Sequence, residues 1–238
     1  MSTPAASADF RPRAVLFDAY GTLFDVYSVA ALAEQLFPGR GEALSILWRD
    51  KQIEYTRLRT LSGQYKDFHA VTQDGLIYAC ARLGLKLDPD AHTRLMNQYA
   101  RLSAFPENLQ ALRDLKALGI PLAILSNGTP DMLAVAVNSA GMDGLFDHLL
   151  SVDAVRQYKT APAAYQLGPN AFGHAPGQML FVSSNGWDVC CATWFGYRTF
   201  WINRAGLPPE QLDVQPTYQG AKLSEVADLL RQFPPAPA

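Results

Sequence analysis

Four short apolar runs constrain this chain more than any other feature: Ala14-Val-Leu-Phe17, Pro121-Leu-Ala-Ile-Leu125, Met179-Leu-Phe-Val182 and Arg198-Thr-Phe-Trp-Ile202. None of them alternates apolar with polar residues, so none reads as a strand with one wet face. Continuous hydrophobicity is what a parallel strand covered on both sides requires. Between the runs lie helical patterns that stop at glycine. Leu109, Leu112, Leu115 and Leu118 recur at helical spacing before Gly119, Asp131–Ala140 leads to Gly141, and Val189–Phe195 leads to Gly196. Strand, helix, glycine and strand in repetition predict βαβ units, hence an α/β fold with a doubly wound, Rossmann-like parallel sheet.

One region breaks the rhythm. From Asp25 to Ser103 no strand-like run occurs, and Ala43–Leu58, Gln73–Leu83 and Pro89–Leu102 read as helices, the last introduced by Asp88 as N-cap and Pro89 in the first turn. An all-helical insert placed directly after a strand's carboxyl end sits where such folds bind ligands, which suggests a lid. The expected organisation is a disordered arm at 1–12, an α/β core formed by 13–24 and 104–232, a helical cap domain at 25–103, and a tail at 233–238.

Composition closes off several classes of function. At 238 residues, 49% of them hydrophobic, the chain can bury a sizeable core unaided, and its net charge of -2 leaves no basic excess for nucleic acid. Three cysteines (Cys80, Cys190, Cys191) and four scattered histidines (His69, His92, His148, His174) form neither a disulfide framework nor a metal-binding pattern. Cys190 and Cys191 read as packing on a helix. No stretch nears the ~18 apolar residues of a membrane span, and the first thirteen residues lack a signal core. The expectation is a cytoplasmic protein with no membrane and no nucleic-acid partner.

The strand ends carry the chemistry. The first run ends in Phe17-Asp-Ala-Tyr-Gly-Thr-Leu23, the second in Ser126-Asn-Gly-Thr129, the third in Ser183-Ser-Asn-Gly-Trp-Asp188, and Lys159 lies in the loop-like Gln157–Pro162. In a parallel sheet these ends share one edge, so an acid, a hydroxyl-amide pair, a lysine and a second acid can converge. Each residue also has a plainer reading. Asp18 could cap a turn, Lys159 could be a surface lysine, Ser126 could cap the helix before Asp131, Trp187 could be core, and Arg49-Asp50-Lys51 could be a solvated helix face.

Taken together, Asp18-x-x-Gly21-Thr22, Ser126-Asn127, Lys159 followed by Pro162, and the late Asp188 resemble the motifs of the haloacid dehalogenase superfamily over roughly residues 13–232. The magnesium-dependent phosphatases of that superfamily carry a second acid two residues after the first, where this chain has Tyr20, and two acids four residues apart in the last motif, where it has Ser184 and Asp188. The set is instead similar to the L-2-haloacid dehalogenases, including Leu47-Trp-Arg49 in the cap. Thr160 departs from that pattern, in which proline commonly follows the lysine.

The resemblance implies a cofactor-free and metal-free hydrolase that converts short L-2-haloalkanoic acids to D-2-hydroxy acids and halide. Two other readings stand beside it: a magnesium phosphatase, and a hydrolase opening another electrophile at C2. A carboxylate nucleophile divides a hard displacement into two easier steps, and the resemblance gives Asp18 that expected role. Lys159 would keep it ionised and oriented, with Thr22 and Ser183 bonding to Asp18 and Lys159. Arg49, with Asn127 and Trp187, would receive halide or steer the anion. Ser126 and the amides near Ala19 and Tyr20 would hold the substrate carboxylate. Asn185 and Asp188 would position water or lock Lys159 from behind. Tyr20, Ile53 and Phe68 would wall the alkyl group, and Tyr165, grouped with these substrate-binding residues, would also bond to the carboxylate cluster. A homodimer is a further expectation drawn from the resemblance.

Overall fold

A computed structural model describes residues 11–233 of the chain. At its centre is a six-stranded, all-parallel sheet in the order β3-β2-β1-β4-β5-β6. The strands are β1 (Val15–Phe17), β2 (Leu122–Ser126), β3 (His148–Ser151), β4 (Leu180–Ser183), β5 (Arg198–Ile202) and β6 (Tyr218–Gly220). The four apolar runs are β1, β2, β4 and β5, the interior of the sheet. Sequence periodicity does not reveal β3 and β6, because both are short edge strands and most of their residues are only half-buried or exposed.

The lack of alternation in the central runs has a direct cause. Val15, Phe17, Leu122, Ile124, Leu180 and Val182 enter one apolar cluster. Ala14, Leu16, Ala123, Leu125, Met179 and Phe181 enter a second. Successive side chains of a strand point to opposite faces, and here each face is covered. At about 1.5–3 kcal/mol per fully buried large aliphatic or aromatic side chain, these strands make a large contribution to the stability of the sheet.

The helices that follow the strands are α5 (Asn108–Ala117), α6 (Pro130–Ser139), α7 (Pro162–Phe172), α8 (Gly186–Phe195) and α9 (Ser224–Arg231). Between β1 and α5 stand only helices: α1 (Ala30–Leu36), α2 (Gly41–Leu61), α3 (Phe68–Arg82) and α4 (Pro89–Ala100). Asp88 caps α4 as its sequence suggests, accepting the Ala91 N–H at 2.8 Å with Pro89 in the first turn. The first apolar cluster runs from the sheet through Tyr20, Phe24 and Phe68 into Trp48, Leu76, Leu95 and Tyr99, so the helical insert and the sheet share one core.

Two boundaries read from the sequence fall differently in space. Arg11, placed in the amino-terminal arm, donates from Nη2 to the Leu118 carbonyl at 2.8 Å, and Phe233, placed in the tail, is buried in the core. The rest of the expected arm and tail, 1–10 and 234–238, lies outside the described residues. No helix among the described residues is long and apolar enough to cross a membrane.

Candidate active site

β1 is the centre of the sheet, and Asp18 is the first residue beyond it. The chain leaves β1 toward β2 on one side and returns with β4 on the other, so Asp18 stands at the point where strand order reverses. The turn after it is tight. Gly21 adopts φ +93°, in the left-handed region that favours glycine, and its N–H bonds to the Phe24 carbonyl at 2.7 Å. Asn108 pins this turn from α5, its Nδ2 donating to the carbonyls of Thr22 (3.1 Å) and Leu23 (2.9 Å). The bonds of the turn come from the N–H groups of Gly21, Thr22, Leu23 and Phe24, leaving those of Ala19 and Tyr20 unused by it.

Three donors hold the Asp18 carboxylate. Lys159 Nζ donates to Oδ1 at 3.1 Å, and Thr22 Oγ1 (2.9 Å) and Asn185 Nδ2 (2.8 Å) donate to Oδ2. Behind the lysine stands Asp188, whose Oδ2 accepts from the same Nζ at 2.9 Å and whose Oδ1 accepts from the Tyr165 hydroxyl at 2.7 Å. Asp18, Lys159 and Asp188 are all buried. For Lys159, desolvation lowers the pKa, but attraction to Asp18 and Asp188 outweighs it, and the net shift is upward. Burial, with the charge of Asp18 beside it, moves Asp188 upward, against the pull of Lys159 and the Tyr165 hydrogen bond.

The geometry separates several alternatives. Arg49 is buried rather than on a solvated face, although Lys51, two residues on, is exposed enough to pair with Glu54 at 2.7 Å. Lys159 is wholly enclosed, so the surface reading fails. Ser126 does not cap the following helix: Thr129 does, accepting the Met132 N–H at 3.2 Å, while Ser126 Oγ accepts from Gly128 N at 3.1 Å. Gly128 must stay small, because a Cβ there would meet the Tyr20 ring at 2.8 Å. Of the two positions foreseen for Asp188, the hydrogen bonds favour the one behind Lys159.

Two placements correct the sequence reading. Ser183 was expected to bond to Asp18 or Lys159; its hydroxyl instead accepts the Asn185 N–H at 3.1 Å and so supports the loop. Tyr165, grouped with substrate-contacting residues, is buried on the far side of Asp188 and does not line the pocket. It is the bond to the carboxylate cluster, foreseen alongside, that the structure contains.

A narrow inner pocket, with a cavity volume of about 10 Å³, is lined by Asp18, Tyr20, Arg49, Ile53, Thr56, Phe68, Ser126, Asn127, Asn185 and Trp187. It adjoins an outer vestibule of about 480 Å³, and the two share Arg49, Ile53, Asn185 and Trp187. In the vestibule the Arg57 guanidinium lies 4.9 Å from the centre of the Trp187 ring. Asn127 Oδ1 accepts the Lys159 N–H at 2.9 Å.

Sequence reasoning missed Gln52, Thr56, Tyr99, Arg57 and Arg204. Gln52 and Thr56 follow Arg49 at helical spacings of three and seven, so the face of α2 that presents Arg49 could have found them. Arg204 lies just beyond β5, another strand end. Its Nη1 donates to Ser184 Oγ at 2.6 Å, its Nη2 reaches the Thr22 carbonyl at 3.2 Å, and its plane stacks on Phe105 at 3.8 Å. It ties the loops after β1 and β4 together.

A divalent cation of the phosphatase type does not fit these residues. The space between Asp18 and Asp188 is bridged by the Lys159 ammonium, and Ser184, in the place of a second acid, is held by the Arg204 guanidinium. Hard divalent ions need several oxygen ligands. Among the described residues no group of three or more His, Cys, Asp or Glu side chains could hold a metal ion.

A sheet of this order with an enclosed Asp–Lys–Asp cluster at its reversal point defines a hydrolase with an aspartate at the strand end. The family model of haloacid dehalogenase-like hydrolases matches residues 12–193, and the chain belongs to that family. Among characterised relatives it is 45% identical over 217 residues to the (S)-2-haloacid dehalogenase of Pseudomonas sp. (strain YL), covering 91% of this chain and 94% of that one. A crystal structure of an L-2-haloacid dehalogenase is 63% identical, with a TM-score of 0.91 over 94% of this chain and 99% of the other. The L-2-haloacid dehalogenase from Xanthobacter autotrophicus with chloropropionic acid covalently bound is 38% identical, with a TM-score of 0.86 over 92% of this chain and 98% of that one.

Proposed function

We propose that this protein hydrolyses short L-2-haloalkanoic acids to D-2-hydroxy acids and halide, through an ester between substrate C2 and Asp18. The observation that carries the reading is the environment of Asp18: a buried carboxylate, fixed by an ammonium and two neutral donors, opening on a pocket with a buried guanidinium. Of the two carboxylate oxygens, Oδ2 accepts two hydrogen bonds and Oδ1 one, so Oδ1 retains more capacity to attack. It displaces halide from the opposite face of C2, inverting the centre once. The C–halogen bond breaks with its electron pair, and the halide leaves toward Arg49, Asn127 and Trp187.

Water then adds to the Asp18 carbonyl carbon. The ester C–O bond to the aspartyl carbon breaks, the hydroxy acid leaves with inverted configuration, and the carboxylate is regenerated. Ser126 Oγ and the N–H groups of Ala19 and Tyr20 receive the substrate carboxylate, while Tyr20, Ile53 and Phe68 enclose the alkyl group. The helical insert over 25–103 acts as the cap of the site, contributing Arg49, Ile53, Thr56 and Phe68. The partner is thus a small anionic substrate.

A single turnover in ¹⁸O-enriched water tests the intermediate. With enzyme in excess, the label is expected in the Asp18 carboxylate and absent from the first hydroxy acid released. Label appearing directly in the product would refute the ester.

The lysine makes a prediction about pH. Its folded-state pKa is raised above the ordinary 10.5, so its favourable ion-pair contribution is complete below that value and is lost only as pH rises through the higher folded value. Burial also raises Tyr20, Tyr99 and Tyr165. The profile of kcat/KM is therefore expected to show no alkaline decline between pH 7 and about 10. A limb centred near pH 8 or 9, measured by halide release, would contradict the assignment of Lys159.

A further inference from the structure

Arg49 is a buried cation with an unusual set of partners. Its Nη1 donates to Gln52 Oε1 at 2.8 Å and its Nη2 to the Tyr20 carbonyl at 3.1 Å, and both acceptors are neutral. No carboxylate of the described residues forms an ion pair with it, although buried guanidinium groups ordinarily need one. Gln52 is itself completely buried and bonded at both ends of its amide. Its Oε1 also accepts the Tyr99 hydroxyl at 2.9 Å, and its Nε2 donates to Thr72 Oγ1 at 2.5 Å, which in turn donates to the Phe68 carbonyl at 2.7 Å. Trp48 Nε1 closes the arrangement on the Thr72 carbonyl at 2.7 Å.

We infer that Gln52 is a positioning residue whose neutrality matters as much as its reach: it orients Arg49 toward the pocket while leaving the guanidinium's positive charge uncompensated for an anion. A glutamate at this position could make the same contact to Nη1. It would also supply the missing counter-charge, and the pocket would lose its attraction for halide and for the substrate carboxylate. Because Tyr99 donates to Oε1 and Thr72 is already committed to Phe68 as a donor, the amide is fixed in one orientation, with its carbonyl facing Arg49. The chain from Phe68 through Thr72 and Gln52 to Arg49 thus links a wall residue of the pocket to its cation across α3 and α2. The inference rests on the dehalogenase reading only for the identity of the anion.

The test separates charge from shape by direct titration of bromide, which needs no turnover. Wild-type protein, Q52E and Q52M are titrated with sodium bromide by calorimetry, their melting temperatures are recorded, and kcat and KM are measured on L-2-chloropropionate. Q52E is expected to weaken bromide binding and raise KM by roughly tenfold or more, since neutralising a preorganised charge in a dry site is costly. Q52M, which loses the acceptor but keeps the cation free, is expected to bind bromide within about threefold of wild type while kcat falls as Arg49 loses its orientation. Equal effects of the two substitutions, or an unaffected Q52E, would overturn the inference. Should Q52E not fold, Q52M is compared with R49M: bromide affinity held in the first and lost in the second supports the inference, and equal loss in both refutes it. An inactive wild type that still binds bromide with this asymmetry would overturn the dehalogenase reading and leave the role of Gln52 standing.

Discussion

Asp18→Asn is expected to abolish halide release, by on the order of 10⁴-fold or more, the scale seen when a covalent nucleophile is removed from an enzyme. The amide keeps the size of the carboxylate and could still accept a hydrogen bond from Thr22 or Lys159, so the pocket is not disrupted. What it lacks is a charged oxygen with a lone pair for C2. Stability should change little, because Lys159 retains Asp188 at 2.9 Å. The measurement is halide release together with the intact mass of the variant, since slow hydrolysis of the new amide would restore Asp and a false activity. Full activity with the asparagine mass preserved would remove Asp18 from the mechanism.

Lys159→Met is expected to have the second largest effect, on folding as well as on rate. The lysine is the cation between two buried carboxylates, with side-chain exposures of 8% for Asp18 and 0% for Asp188. Removing it leaves two like charges facing each other without compensation. Breaking a buried pair from one side typically costs about 3–5 kcal/mol, much of a domain's ordinary margin. Denaturant unfolding measures the loss, and activity should vanish in the folded fraction. Adding Asp188→Asn removes one of the stranded charges, so the double variant should recover part of the stability and none of the activity. A single variant as stable as wild type would mean that the cluster is not held as an ion triad.

How much of this was legible beforehand follows from physical range. The interior strands could be read because burial on both faces leaves an uninterrupted apolar run, and the glycine stops because Gly119, Gly141 and Gly196 adopt positive φ. The edge strands β3 and β6 escaped because an edge needs no such run. Asp18, Lys159 and Asp188 were legible as strand-end and loop residues carried by a recognisable motif. The direction of the Ser183 hydroxyl, at the end of β4, was not, since a strand-end side chain can turn from a lysine toward the backbone N–H two residues on. Gln52 and Arg204 carried weaker signals: the three-residue spacing from Arg49 places Gln52 on the same face of α2 without marking its role, and an arginine after a strand is ordinary until its buried partners are seen.

The hydrogen bonds on Asp18 span 141 positions to Lys159 and 167 to Asn185. Closing intervals of that length costs chain entropy that early local structure does not offset. During synthesis the future nucleophile therefore emerges long before the groups that tune it. Helices need only local contacts, but catalytic competence must await the final third of the polypeptide, so chemistry is withheld until β4 and the residues just after it are in place.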